Sequence, residues 1–157
     1  MAVGDVKSAI VSVKDSTRKW TASTAYSLGD LVIPTADATW WVYECTKAGT
    51  SGTTEPTWPT TVGDTVTDGT VVWTCRARYL DIQPPAGEEW VIHNITHNGA
   101  VELFMTDGTN HIGPIDSDAG VGGWLNFNFH VTNTVWYRVR NVSGYVQLIG
   151  YDGIQTK

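Results

Sequence analysis

The chain has 157 residues, a formal charge of −6, and 17% charged against 11% aromatic residues. That acidic balance excludes the basic face a nucleic acid demands, and no stretch reaches the roughly 18 apolar residues that span a bilayer. Gly and Thr are abundant and no run rich in Ala, Leu, Glu and Lys occurs, so the expected fold class is all-β with many turns.

Residues 1–17 alternate loosely through Ala9-Ile10-Val11-Ser12-Val13 before the charged run Lys14-Asp15-Ser16-Thr17-Arg18-Lys19. They read as a strand or arm, either pairing within its own domain or adding to a neighbouring subunit. The first residues lack a basic start followed by an apolar stretch, which predicts no secretory signal.

Residues 18–78 read as a small β module. Leu31-Val32-Ile33 is a strand stopped by Pro34, and Trp41, Tyr43 and Cys45 share one face of the next strand, with Trp40, Val42 and Glu44 on the other. Asp68-Gly69 before Thr70-Val71-Val72-Trp73 signals a hairpin. The turn-rich stretch 46–70 is long for a compact domain and suits a contacting role. Cys45 and Cys75 read as buried thiols or as a disulfide between neighbouring strands.

This module carries Trp20, Tyr26-x-x-Gly29-Asp30-x-Val32, Tyr43-x-Cys45 and Trp73. The set resembles the small carbohydrate-binding modules of the chitin-binding type, families five and twelve. The added Gly49-Thr50-Ser51-Gly52, Glu55-Pro56-x-Trp58-Pro59 and Asp68-Gly69-Thr70-Val71-x-Trp73 resemble the form found in bacteriophage virion proteins. In the chitin binders a tandem aromatic pair follows the Tyr-x-Ala strand, and here Thr46-Lys47-Ala48-Gly49 takes its place.

From Tyr79 onward strand-like runs recur at short intervals: 89–96, 101–106, 111–115, 124–131, 135–141 and 145–151. Asn98-Gly99, Asp107-Gly108, Gly120-Val121-Gly122-Gly123 and Ser143-Gly144 separate them. Such punctuation predicts a β-sandwich of jelly-roll type over 79–157. The stretch from Gln83 to Ile95 and the closing Leu148-Ile149-Gly150-Tyr151-Asp152-Gly153 resemble small phage structural proteins that decorate heads or form fibres.

The chain offers little chemistry. His93 and His97 are four apart, which on a strand separates them by about 13 Å, so no metal site is expected. Asp116-Ser117-Asp118 reads as a solvated turn, because the ligands that would complete a calcium loop do not follow. Glu88 and Glu89 point to opposite faces of a strand and do not suit two-carboxylate catalysis. No nucleophile elbow, phosphate loop or Cys/His dyad is present. Neither an enzyme nor a cofactor is expected.

Trp40, Trp41 and Trp58 are the candidate carbohydrate-binding residues, since flat indoles stack on pyranose faces and donate to hydroxyls. The alternative for each is packing in a small core. The expected function is that of a non-enzymatic phage virion surface protein, a capsid decoration (cement) protein that docks on the shell and is assembled in the host cytoplasm. Its partners would be the major capsid protein or other virion proteins, with self-association as a trimer or dimer. The alternative is a tail or head-fibre module that binds cell-surface polysaccharide.

Overall fold

The structure is a computed structural model that describes residues 3–36 and 39–157. It is all-β, and the described residues contain no helix. The chain divides into two compact units, one formed by Lys14–Arg78 and the other by the residues through Val13 together with Tyr79–Lys157.

The first strand, β1 (Val6–Val13), pairs antiparallel with the last, β15 (Gln147–Gln155), from Val6↔Ile154 to Val13↔Gln147. The sequence reading set 1–17 apart as an arm or strand. The strand is part of the carboxy-terminal unit, so the central module is an insertion between two strands of a sandwich. Alternation sets the two faces of β1: Val11 and Val13 pack on the sandwich core while Val6, Ser8, Ile10 and Ser12 face outward.

The inserted unit contains β2 (Ala25–Tyr26), β3 (Leu31–Val32), β4 (Trp41–Lys47), β5 (Gly49–Thr50), β6 (Thr65–Asp68) and β7 (Val71–Ala77). β2 and β5 form a short ribbon, and the others form a sheet in the order β3-β4-β7-β6. That order is symmetric about the β4–β7 pair, and the turns repeat the symmetry. Gly29 N–H donates to the Cys45 carbonyl at 2.9 Å and Cys45 N–H donates to the Asp30 carbonyl at 2.8 Å. Gly63, Cys75 and Asp64 repeat both bonds at the same distances. Each Gly-Asp pair therefore enters a strand that closes onto a Cys of its partner.

The sandwich is built from β1 with β8 (Tyr79–Ile82), β9 (Glu89–His97), β10 (Val101–Thr106), β11 (His111–Asp118), β12 (Gly122–Trp124), β13 (Phe129–Thr132), β14 (Trp136–Asn141) and β15. One sheet runs β1-β15-β9-β12, with β13 also on β9, and the other runs β11-β10-β14-β8. Counting β12 and β13 as one interrupted strand, this is the order of an eight-stranded jelly roll. Ile92, Ile95, Val131 and Ile149 from the first sheet meet Ile82, Val101, Leu103 and Val139 from the second in a single core. Asp116 and Asp118, expected in a solvated turn, lie within β11.

Cys45 and Cys75 are buried free thiols on the adjacent strands β4 and β7. Burial pushes the Cys75 thiol up to about 11, helped by the Asp64 charge, and burial also raises Cys45. Since the thiolate is the reactive form, a maleimide should label neither cysteine in the native protein at neutral pH and both in denaturant. Fast labelling of the folded chain would overturn this arrangement.

Candidate functional site

The aromatic residues of the inserted unit form its core. Trp20, Tyr26, Tyr43 and Trp73 are all buried together with Val32, Val71 and the two cysteines. An indole N–H taken out of water needs an acceptor, and one carboxyl group serves two of them. Asp68, 4% exposed, accepts from Trp20 Nε1 at 2.7 Å and from Trp73 Nε1 at 3.0 Å through Oδ2. Its Oδ1 accepts from the Gly52 backbone N–H at 2.7 Å.

The local sequence sets this position. Asp68 pairs with Val71, so Gly69-Thr70 is the two-residue hairpin loop and Asp68 is the last residue of β6, turned inward. Gly69 has φ +61°, and a Cβ there would collide with the Thr50 carbonyl. Ser51 then stitches the neighbouring turn: its hydroxyl donates to the Thr21 carbonyl at 2.7 Å and accepts from Thr24 N–H at 3.0 Å. The Gly-Thr-Ser-Gly and Asp-Gly-Thr motifs are thus two halves of one hydrogen-bonded knot.

Glu55-Pro56-Thr57-Trp58-Pro59 closes the other side. Trp58 lies against Tyr43 at 4.3 Å between ring centroids and against the edge of Trp73 at 6.0 Å. Its Nε1 donates to Glu55 at 2.8 Å, and Tyr43 Oη donates to the Pro59 carbonyl at 2.7 Å. Glu55 also accepts from the Thr35 N–H at 2.9 Å and from the Thr35 hydroxyl. Burial acting alone would raise the Glu55 carboxyl, but the bonds from Thr35 and Trp58 outweigh it and hold the group below its ordinary range.

Of the three candidate sugar-stacking residues, Trp41 and Trp58 are half-buried and packed against this core. Trp40 is half-buried just before β4, and its carbonyl accepts from Arg78 N–H at 3.0 Å. Sequence reasoning missed Asp68, Glu55 and Ser51. The signal for Asp68 lay in its place one residue before the hairpin loop, in a strand whose next inward residue is Val66.

The same use of carboxyl groups recurs in the sandwich. Trp90 Nε1 donates to Glu88 at 2.8 Å, and Trp124 Nε1 donates to Asp116 at 2.6 Å. Both acids had stood out in the sequence as candidate chemistry, and both serve as indole acceptors. His97 is buried, with Nδ1 2.9 Å from the Gly99 carbonyl and Nε2 3.6 Å from Asp118. His111 lies 2.7 Å from the Thr106 hydroxyl, and burial followed by the Arg138 charge lowers its pKa. Among the described residues no three His, Cys, Asp or Glu side chains converge in a way that could hold a metal ion.

Asp68→Ala leaves two buried indole donors and the half-buried Gly52 N–H without that acceptor, which should lower the unfolding free energy by about 3–5 kcal/mol. Urea unfolding checks this, and Asp68→Asn, which keeps one oxygen acceptor, should lose less. A loss in Asp68→Ala under about 1 kcal/mol would remove the carboxyl from its central place. The lowered Glu55 pKa has a definite sign. Its stabilisation is complete above the unfolded value of about 4.3 and is lost as the pH falls through the folded value. Acid titration of tryptophan fluorescence should show that loss in the wild type, with a smaller slope in Glu55→Gln.

A scan against protein-family models finds no match for this chain, and none of the curated proteins is significantly similar to it in sequence.

Proposed function

We propose that the chain is a non-enzymatic surface protein of a bacteriophage virion, a capsid decoration protein that docks on the shell and self-associates. The motifs that resemble phage virion modules supply the virion reading, and the jelly roll with an inserted second core is compatible with it. One observation weighs decoration against polysaccharide recognition. Trp58, the residue best suited to stacking on a sugar, uses one ring face on Tyr43 and its only donor on Glu55. A glycan platform benefits from a free indole donor beside its stacking face, and Trp58 has already given its donor to Glu55.

The proposal also accounts for how the acids and aromatics are used. The carboxyl groups of Asp68, Glu55, Glu88 and Asp116 accept indole hydrogen bonds. Those groups hold tryptophans in place, which is structural work. Two modest cores of this size gain stability by docking on a larger body.

Counting copies per purified particle against the major shell protein tests the reading. A count on the order of hundreds matches the many equivalent positions of an icosahedral shell. A few copies would move the protein to a tail or fibre, and absence from particles would end the virion reading. Trp58→Ala separates the two roles of the module: a packed lid loses about 2–3 kcal/mol of stability and changes no polysaccharide retention. Loss of retention on an intact fold would favour glycan recognition.

A further inference from the structure

The two outer faces of the sandwich differ in kind. The β11-β10-β14-β8 face carries the ion pairs Glu102–Arg140 and Asp81–Arg138, the latter at 2.7 Å. The β1-β15-β9 face carries Val6, Ser8, Ile10 and Ser12 from β1 and Leu148, Gly150 and Asp152 from β15. Ile10 is 77% exposed, Val6 75% and Leu148 50%. Asp152 is the one charged side chain in that set, and the Asn94 amide donates to both its oxygens at 2.9 and 3.0 Å.

β1 is also an edge strand, eight residues long and paired without a bulge. Edges that stay unpaired are normally guarded by outward charges, proline or bulges. β1 has none of these on its outer side: its only charged residue, Lys7, turns away to Glu88 at 3.1 Å. Exposed apolar side chains along an unguarded edge of this length mark a surface that is covered in the working protein.

We infer that this face is covered by a second copy of the same chain, through Ile10, Leu148 and the hollow between β15 and β9. The inference deepens the self-association in the function proposed above by assigning it a surface. A two-fold contact places one patch against itself, so knob and hollow must lie within the same patch. They do: Ile10 and Leu148 themselves help to line a hollow of about 240 Å³, together with Thr96, His97, Asn98 and Gly150. Gly150 adds no side chain there, and Ile10 Cγ1 and Thr96 Oγ1 lean within 3.3 Å of where its Cβ would stand, so a partner's isoleucine would pack on Ile10 itself.

Charge and area favour the same occupant. Each copy carries a formal charge of −6, so two copies repel least where charge is sparse, and among the β1 and β15 side chains of this face Asp152 is the one charge. Eight residues of strand across three to four strands give about 27 Å by 15–20 Å, roughly 500 Å². Tyr145 and Val146, 52% and 45% exposed, immediately precede β15 and extend the apolar area. That brings the patch toward the roughly 800 Å² per partner of a stable interface.

Sedimentation equilibrium of the full chain, from nanomolar to several hundred micromolar, tests the assignment. The wild type should form a dimer or a larger closed assembly. Ile10→Asp and Leu148→Lys should each raise the dissociation constant at least about tenfold, equal to about 1.4 kcal/mol, with an unchanged near-ultraviolet circular dichroism spectrum. Ile112→Asp, on the exposed edge strand of the other sheet, should leave association unaltered. Ser8→Arg puts a charge into the patch from a polar position and serves if an apolar replacement disturbs folding. A wild type that stays monomeric throughout overturns the inference, as does an assembly indifferent to all three face variants. A monomer still present in hundreds of copies per particle would overturn the self-contact and leave decoration standing. A dimer absent from particles would do the reverse.

Discussion

The inserted unit depends on one carboxyl group. Asp68 joins three stretches distant in sequence, at Trp20, Gly52 and Trp73, by accepting a hydrogen bond from each. A module of this size can bury enough apolar surface only by using very large side chains. Tryptophan supplies the area, but each indole brings a donor that costs about 1–3 kcal/mol if it is buried without an acceptor. An Asp at the end of β6 answers two of those donors at once and binds the Gly52 turn to them. Without it the aromatic core would be large and unsatisfied, and the Trp20 and Gly52 segments would each lose a fixed attachment.

The same pairing recurs at three further tryptophans, whereas the Nε1 of buried Trp136 has no hydrogen-bond partner among the described residues. Glu55 receives Trp58, Glu88 receives Trp90 and Asp116 receives Trp124. Carboxyl oxygens suit this task because bonds to an ionised acceptor are shorter and stronger than neutral ones. They also carry several acceptor sites, so a single group can gather backbone donors as well. Glu55 does so with Thr35, and Asp68 with Gly52. An acid next to a buried tryptophan in such a sequence is therefore as readily an indole acceptor as a catalytic group.

Much of the fold was legible from alternation and turns. Gly99, Gly108 and Gly144 sit between strands where the punctuation placed them, and β10 spans the predicted 101–106. The face of β4 that carries Trp41, Tyr43 and Cys45 is the face that meets the core. The placement of β1 was less legible, because an alternating eight-residue segment pairs equally well with any free edge, and only the three-dimensional position of β15 decides which. The single run read over 124–131 is two strands, broken where Asn126 takes a positive φ and the Asn94 side chain accepts from its N–H. The role of Asp68 was hidden by a one-residue shift in the hairpin. Read as a turn residue it faces water, and read as the last strand residue it faces the indoles. The repeat of Gly-Asp turns was visible as two isolated pairs, but its meaning lay in the matched bonds to Cys45 and Cys75, which sequence spacing does not reveal.

The symmetry of that repeat bears on how a module with so little regular structure stays rigid. β3 and β6 are only two and four residues long, too short to hold their register by ladder bonds alone. Each is preceded by a Gly-Asp turn hydrogen-bonded to a cysteine of the neighbouring long strand, so the turn fixes the register before the strand begins. The two long strands, β4 and β7, lie at the centre and are each braced from the outside by an equivalent turn. Trp73 and Tyr43 project from this braced pair, and Trp58 rests on both. The module thus places its regular hydrogen bonding at the centre and leaves the periphery to turns and side-chain acceptors. A peripheral loop can then change its exposed residues without disturbing the bonds that hold the core.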